Sequence, residues 1–175
     1  MNREALKNLT SRRSCRKYGP GEVSEEALGD VLRAGMFAPS GGGHQSPRFV
    51  VVKTPAVREQ LRKMNATVMG DAQADPYYGA PALILVFADR QRTTGFEDAC
   101  LALGNMMNAA AALDLGSCWI HREKEMFDSA EGQDLMRGWK LDPARYAGVG
   151  ACILGQPAEP AAPPPPRIED YVRTV

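Results

Sequence analysis

The chain has 175 residues, 44% of them hydrophobic and 24% charged, with 21 basic side chains balanced by 21 acidic ones. A length of this order fits one domain with its own core, and the zero net charge excludes the broad basic face of a nucleic-acid binder. No apolar run reaches the roughly 20 residues that cross a bilayer, so neither nucleic acid nor membrane is an expected partner.

No apolar segment follows Met1, Asn2, Arg3 and Glu4, so the reading expects no signal peptide and a cytoplasmic protein. Leu6 and Leu9 predict a short helix that runs into Arg12-Arg13-Ser14-Cys15-Arg16-Lys17, four cations and a hydroxyl in six residues. In a neutral chain such a knot is either a discrete anion site or a solvated helix end. Arg grips phosphate bidentately, and a Ser hydroxyl with backbone N–H groups completes such a cradle.

Ser24 is a candidate N-cap for a second helix, with Glu25 and Glu26 at its positive end and Leu28, Val31, Leu32 and Gly35-Met36 as its apolar stripe. Ala38 to Pro47 is a glycine-rich loop, and it leads directly into the buried-strand pattern Arg48-Phe49-Val50-Val51-Val52. Thr54 and Pro55 open a helix carrying Val57, Leu61 and Met64 on one face. Ala82 to Ala88 reads as a strand covered on both sides.

Phe96 to Leu115 predicts the longest helix, apolar all round and so buried in a core or a subunit interface. Glu97 and Asp98 read as its solvated first turn. Ser117 to Ile120 predicts a third strand, Gly132 to Trp139 a helix, and Val149 to Leu154 a fourth strand. The interspersed helices and strands indicate one α/β-type layered domain. After Gln156, six prolines in eleven residues impose an extended path, and Ile168, Tyr171 and Val172 give its far end an apolar tip that could reach a partner.

Cys15, Cys100, Cys118 and Cys152 form no Cys-x-x-Cys, which fits neither a zinc site nor a disulfide framework, and no metal is expected. The last three read as core residues. Cys15, beside several Arg, reads as the more reactive thiol. His44 reads as an exposed loop residue, and Tyr77 and Tyr78 as core or interface packing.

In order, Arg12-Arg13-Ser14-Cys15-Arg16, Ala38-Pro39-Ser40-Gly41 through Gln45 to Val52, Tyr78-Gly79-Ala80-Pro81-Ala82, Gly116 to Ile120, and Leu154 to Glu159 with the arm ending in Pro166-Arg167 resemble the FMN-dependent nitroreductase family over nearly the whole chain. The resemblance implies an α+β, three-layer α-β-α fold with a central mixed sheet, in an intertwined homodimer with FMN at the interface. It makes residues 1–155 the FMN-binding domain and residues 156–175 an arm of the same domain that packs on the partner subunit.

Carried over by residue, Arg12 and Arg13 hold the FMN phosphate and ribityl chain, Ser14 adds a hydroxyl and a backbone contact, and Arg16 lies near the N1–C2=O edge of the ring. Pro39, Ser40 and Gly41, with Gln45 behind them, approach the flavin from the other subunit. The backbone of Trp119, Ile120 and His121 lines the ring, and Arg167 returns to the phosphate.

The implied activity is hydride uptake from NADH or NADPH and reduction of nitroaromatic, quinone or related flat acceptors by a ping-pong mechanism. No catalytic acid–base side chain is implied, because the cofactor carries the chemistry. The chain departs from the family pattern at Gly43, where the usual Asn is missing, and at Ser46-Pro47, where Pro-Trp is usual. Those departures leave a second reading, a flavin-binding protein with an altered loop and little turnover.

Overall fold

The computed structural model describes residues 3–175. In chain order the elements are α1 (Glu4–Ser11), α2 (Glu25–Met36), a 3₁₀ turn (Gly41–Gly43), β1 (Arg48–Val52), α3 (Pro55–Met69), β2 (Ala82–Asp89), α4 (Gly95–Ala112), β3 (Gly116–Ile120), α5 (Glu123–Asp128), α6 (Ala130–Gly138) and β4 (Tyr146–Gly155).

β2 is buried along its whole length, as its unbroken apolar run predicts. The pleat sends alternate side chains to opposite faces. Leu83, Leu85 and Phe87 enter one core with Leu61 and Met64 of α3, Met126 and Phe127 of α5, and Met136 of α6. Ala82, Ile84, Val86 and Ala88 enter a second core with Leu28 and Val31 of α2 and Ala99, Leu103 and Met106 of α4. Helices therefore cover both faces of one sheet, which is the expected α+β three-layer architecture.

The strand order is β1-β2-β4-β3, and all three ladders are antiparallel. The expected mixed character is confined, among the described residues, to a single parallel bridge between Ser14 and Ser117. No helix among the described residues is long and apolar enough to cross a membrane.

α2 begins where the sequence places it, because the Ser24 hydroxyl accepts the Ala27 N–H at 3.2 Å. Its Gly35 lies flat against Met106 of α4, where a Cβ would collide with the Met side chain. α4 departs from the expectation of burial all round. One face lies in the second core, but Phe96 and Leu101 are about half exposed, and Met36 and Phe37 at the end of α2 are exposed too. The sequence reads apolar on every side because the outward face also carries the apolar Phe96 and Leu101. α5 is missing from the sequence reading. It has six residues and is entered from Arg122 in the left-handed region (φ 86°), with no side-chain cap to announce it.

Candidate functional site

The cationic knot begins at the C-terminus of α1, where Arg12 turns the chain into extended backbone. The Cys15 N–H donates to the Ser117 carbonyl at 2.8 Å, pinning this segment against β3. Gly116 lets it come close, since a Cβ there would lie 2.7 Å from Cys15 Sγ. Burial pushes the Tyr18 hydroxyl well above its ordinary range, so it stays protonated and donates to the Cys15 carbonyl at 2.9 Å.

The four cations then divide by role. Lys17 pairs with Glu159 at 3.1 Å on the surface, and Arg16 is exposed with its guanidinium 6.0 Å from the centre of the Tyr78 ring. Arg12 and Arg13 turn inward. Arg13 Nη1 donates to the carbonyls of Thr10 and Arg12, yet Arg12 Nη1 and Arg13 Nε and Nη2 are buried with no hydrogen-bond partner. Buried cationic donors without partners are costly, and an anion would satisfy them. The knot lines a cleft of about 690 Å³ whose opposite wall is the proline arm, Pro157 to Pro165. This donor set fits a phosphate group, and with it FMN.

The glycine loop is built separately. Ser40 Oγ accepts the Gln45 N–H at 2.9 Å, which leaves the Ser40 proton free to be donated outward. Gly42 and Gly43 take left-handed backbone (φ 59° and 70°), which glycine adopts without steric cost. Gln45 is left-handed as well (φ 49°) and is held there by the Ser40 hydroxyl and by Arg48, whose Nη1 donates to the Gln45 carbonyl at 3.1 Å.

Asp98 of α4 reverses the reading of a solvated first turn. It is buried, and its carboxylate accepts the Gly41 N–H at 2.9 Å and the Ser46 hydroxyl at 2.6 Å. Burial pushes its pKa up, but hydrogen bonds from Ser46, Gly41 and Thr94 outweigh that and hold it below the ordinary carboxylate range. Pro39, Ser40, Gln45 and Asp98 line a second cleft of about 310 Å³.

Trp119 is half-buried on β3, against Gly150, where there is no room for a Cβ beside the indole. Ile120 is buried and His121 exposed. The His121 carbonyl accepts from Asn65 Nδ2 at 3.1 Å, and Arg122 Nε donates to Asn65 Oδ1 at 2.8 Å. Beneath them the Tyr77 hydroxyl lies 3.2 Å from Glu123 Oε1. Burial pushes both the Tyr77 hydroxyl and the fully buried Glu123 carboxyl well above their ordinary values. The sequence reading missed this brace because its hydrogen-bonded pairs are 12 to 57 residues apart and share no motif.

The chain thus gathers Arg12, Arg13, Ser14 and Arg16 in one cleft and Pro39, Ser40, Gly41 and Gln45 around another, and the two clefts share no lining residue. Arg167 joins neither. It is exposed and donates to the Pro165 carbonyl at 2.7 Å. His44 is exposed, as expected.

The family model for the nitroreductase family matches residues 9–156. The chain belongs to that family. A protein of Archaeoglobus fulgidus named as a candidate NADH dehydrogenase/NAD(P)H nitroreductase is 35% identical over 123 residues, 67% of each chain. A candidate nitroreductase of Desulfovibrio desulfuricans, solved in complex with FMN, is 30% identical, covers 100% of this chain and 98% of its own, and superposes with a TM-score of 0.78. The nitroreductase of Bacteroides fragilis solved with bound FMN has the same fold, with a TM-score of 0.87 at 24% identity, covering 100% of this chain and 99% of its own.

Proposed function

We propose that this nitroreductase-family chain is an FMN-dependent oxidoreductase that takes a hydride from NADH or NADPH and reduces nitroaromatic, quinone or related flat acceptors as a homodimer. The observation that carries the reading is the pair of inward arginines with buried, unpartnered donors beside an open cleft. Charge-assisted hydrogen bonds to a phosphate contribute about 1.5–3 kcal/mol each, so Arg12 and Arg13 together would retain the cofactor firmly. FMN, when bound, supplies the hydride-accepting N5 and the two-electron chemistry.

The chain's own residues bind and orient. Ser14 of the knot bridges to Ser117 of β3, the strand that carries Trp119 and Ile120, which supports the backbone of Trp119, Ile120 and His121 acting on the same cofactor. The Asn65 amide, by holding the His121 carbonyl, would fix that wall in place. Arg16, an exposed cation beside Tyr78, would stabilise negative charge at the N1–C2=O edge and so favour the reduced cofactor. Pro39, Ser40, Gly41 and Gln45 lie on a different cleft of the same protomer, which supports their acting on the partner's cofactor.

The homodimer reading draws on three surfaces left apolar in one protomer: Phe96 and Leu101 of α4, Met36 and Phe37 after α2, and Ile168, Tyr171 and Val172 at the arm's tip. Patches of this kind mark association surfaces. The arm, residues 156–175, would carry Arg167 to the partner's phosphate site, with residues 1–155 as the flavin-binding body. The four free cysteines suit a reducing compartment such as the cytoplasm.

Steady-state oxidation of NADH or NADPH with a quinone acceptor tests the function. Parallel double-reciprocal lines are expected. Flavin retained without turnover on either donor would favour a flavin-holding protein instead.

A further inference from the structure

From the geometry of the glycine loop we infer that Asp98 is a positioning residue. It clamps the Ser40–Ser46 turn in the shape in which that turn presents Ser40 and Gln45 to the cofactor. The inference rests on the FMN reading above and extends it to a residue of α4 that has no contact of its own with the clefted phosphate site.

The clamp is well defined. One carboxylate oxygen takes the Gly41 N–H at 2.9 Å and the other the Ser46 hydroxyl at 2.6 Å, so a single buried side chain holds both ends of the turn. Two of its partners, Gly41 and Ser46, lie in the loop, and the third, Thr94, stands at the start of α4, so the carboxylate ties the turn to the end of the helix. Bonds to an ionised acceptor are the strong kind, and the carboxylate stays ionised despite its burial.

Within the clamp the turn spends its own donors internally. Gly43 N–H goes to the Ser40 carbonyl at 2.9 Å, His44 N–H to the Gly41 carbonyl at 3.2 Å, and Gln45 N–H to Ser40 Oγ at 2.9 Å. The groups it leaves for a ligand include the Ser40 proton and the side chain of Gln45, which stands on strained left-handed backbone. A non-glycine residue persists in that conformation only when its surroundings over-determine it, and such strain gathers at functional sites. Both departures from the family pattern fit this device. Ser46 supplies the hydroxyl that Asp98 binds. Gly43 takes left-handed backbone (φ 70°) within the clamped turn, which glycine adopts without steric cost.

The test is FMN affinity by flavin fluorescence quenching, with the visible circular dichroism of the bound flavin as a report on its surroundings. Asp98→Ala is expected to weaken FMN binding at least tenfold, and Ser46→Ala three- to tenfold. The double variant should be no worse than Asp98→Ala alone, because both act through one clamp. Asp98→Asn keeps the shape and one acceptor for the Gly41 N–H, while the Ser46 hydroxyl can rotate to accept, so it should recover most of the affinity and the wild-type dichroism.

A purely structural role would lower the melting temperature of Asp98→Ala and leave affinity and dichroism of the folded protein unchanged; that result overturns the inference. Should Asp98→Ala fail to fold, Ser46→Ala decides, and wild-type affinity and dichroism in that variant overturn it equally. A wild-type protein that binds no FMN overturns the flavin reading itself, and this inference with it. Wild-type binding with insensitive variants overturns this inference alone.

Discussion

Replacing Arg12 by Ala should act in opposite directions on the cofactor-free and cofactor-bound protein. Without FMN, Arg12 Nη1 is buried with no partner. A buried donor left unpaired costs about 1–3 kcal/mol, and more when charged. Removing it relieves that cost but gives up part of the packing of the aliphatic stem, on the order of 1 kcal/mol at about 0.8 kcal/mol per buried methylene. The cofactor-free variant should therefore be as stable as the wild type or more stable by up to about 2 kcal/mol. At roughly 2–4 °C per kcal/mol for a chain of this size, its melting temperature should be unchanged or raised by up to about 8 °C. With FMN present, the variant loses at least one charge-assisted bond of about 1.5–3 kcal/mol, a 10- to 150-fold weaker dissociation constant. Calorimetry on flavin-stripped protein and flavin fluorescence titration measure the two effects. A fall in melting temperature of the stripped protein together with an unchanged FMN affinity would refute the reasoning, because Arg12 would then be an ordinary structural side chain.

Glu123 is protonated more readily folded than unfolded, since burial raises its folded pKa above the unfolded value of 4.5. The folded state thus binds more protons between the two values, and stability falls as pH rises through that window. Urea midpoints should decline across it in the wild type and flatten in Glu123→Gln; identical pH profiles would contradict the assignment. Cys118 and Cys152 are buried, with burial pushing the Cys152 thiol up to about 12, so both should resist alkylation in the native protein. Cys15 lines the knot cleft and should label first, and more slowly with saturating FMN, as read by peptide mapping. Truncation after Gln156 should shift the protein toward monomer in sedimentation and strip its flavin, and a truncated protein that stays dimeric and yellow would remove the arm from the site.

The parts of this molecule set by local pattern were legible in its sequence. The Ser24 cap, the doubly buried β2 and the glycine loop follow from side-chain chemistry within a few residues. What escaped depends on contacts between distant segments. Asp98 reads as a solvated acid on a first helical turn, but its partners Gly41 and Ser46 lie 57 and 52 residues away and draw it inside. Glu123 is an acid in a position where acids are almost never buried, and only the fold brings Tyr77 and Asn65 around it. The knot could be identified as cationic from sequence, but not divided. Only the packed structure separates the paired Lys17 and exposed Arg16 from the inward Arg12 and Arg13 with their buried, unpartnered donors. For α4 the sequence recorded apolarity on all sides, and only the structure separates its buried face from the exposed Phe96 and Leu101.

That Arg12 and Arg13 hold a flavin which the chain uses for electron transfer is tested most simply in the visible spectrum of the purified protein under anaerobic conditions. The account predicts a yellow protein whose flavin absorption bleaches on addition of NADH or NADPH and returns when a quinone is added. A colourless protein that takes up no added FMN, or a bound flavin whose absorption persists with both donors, would contradict it.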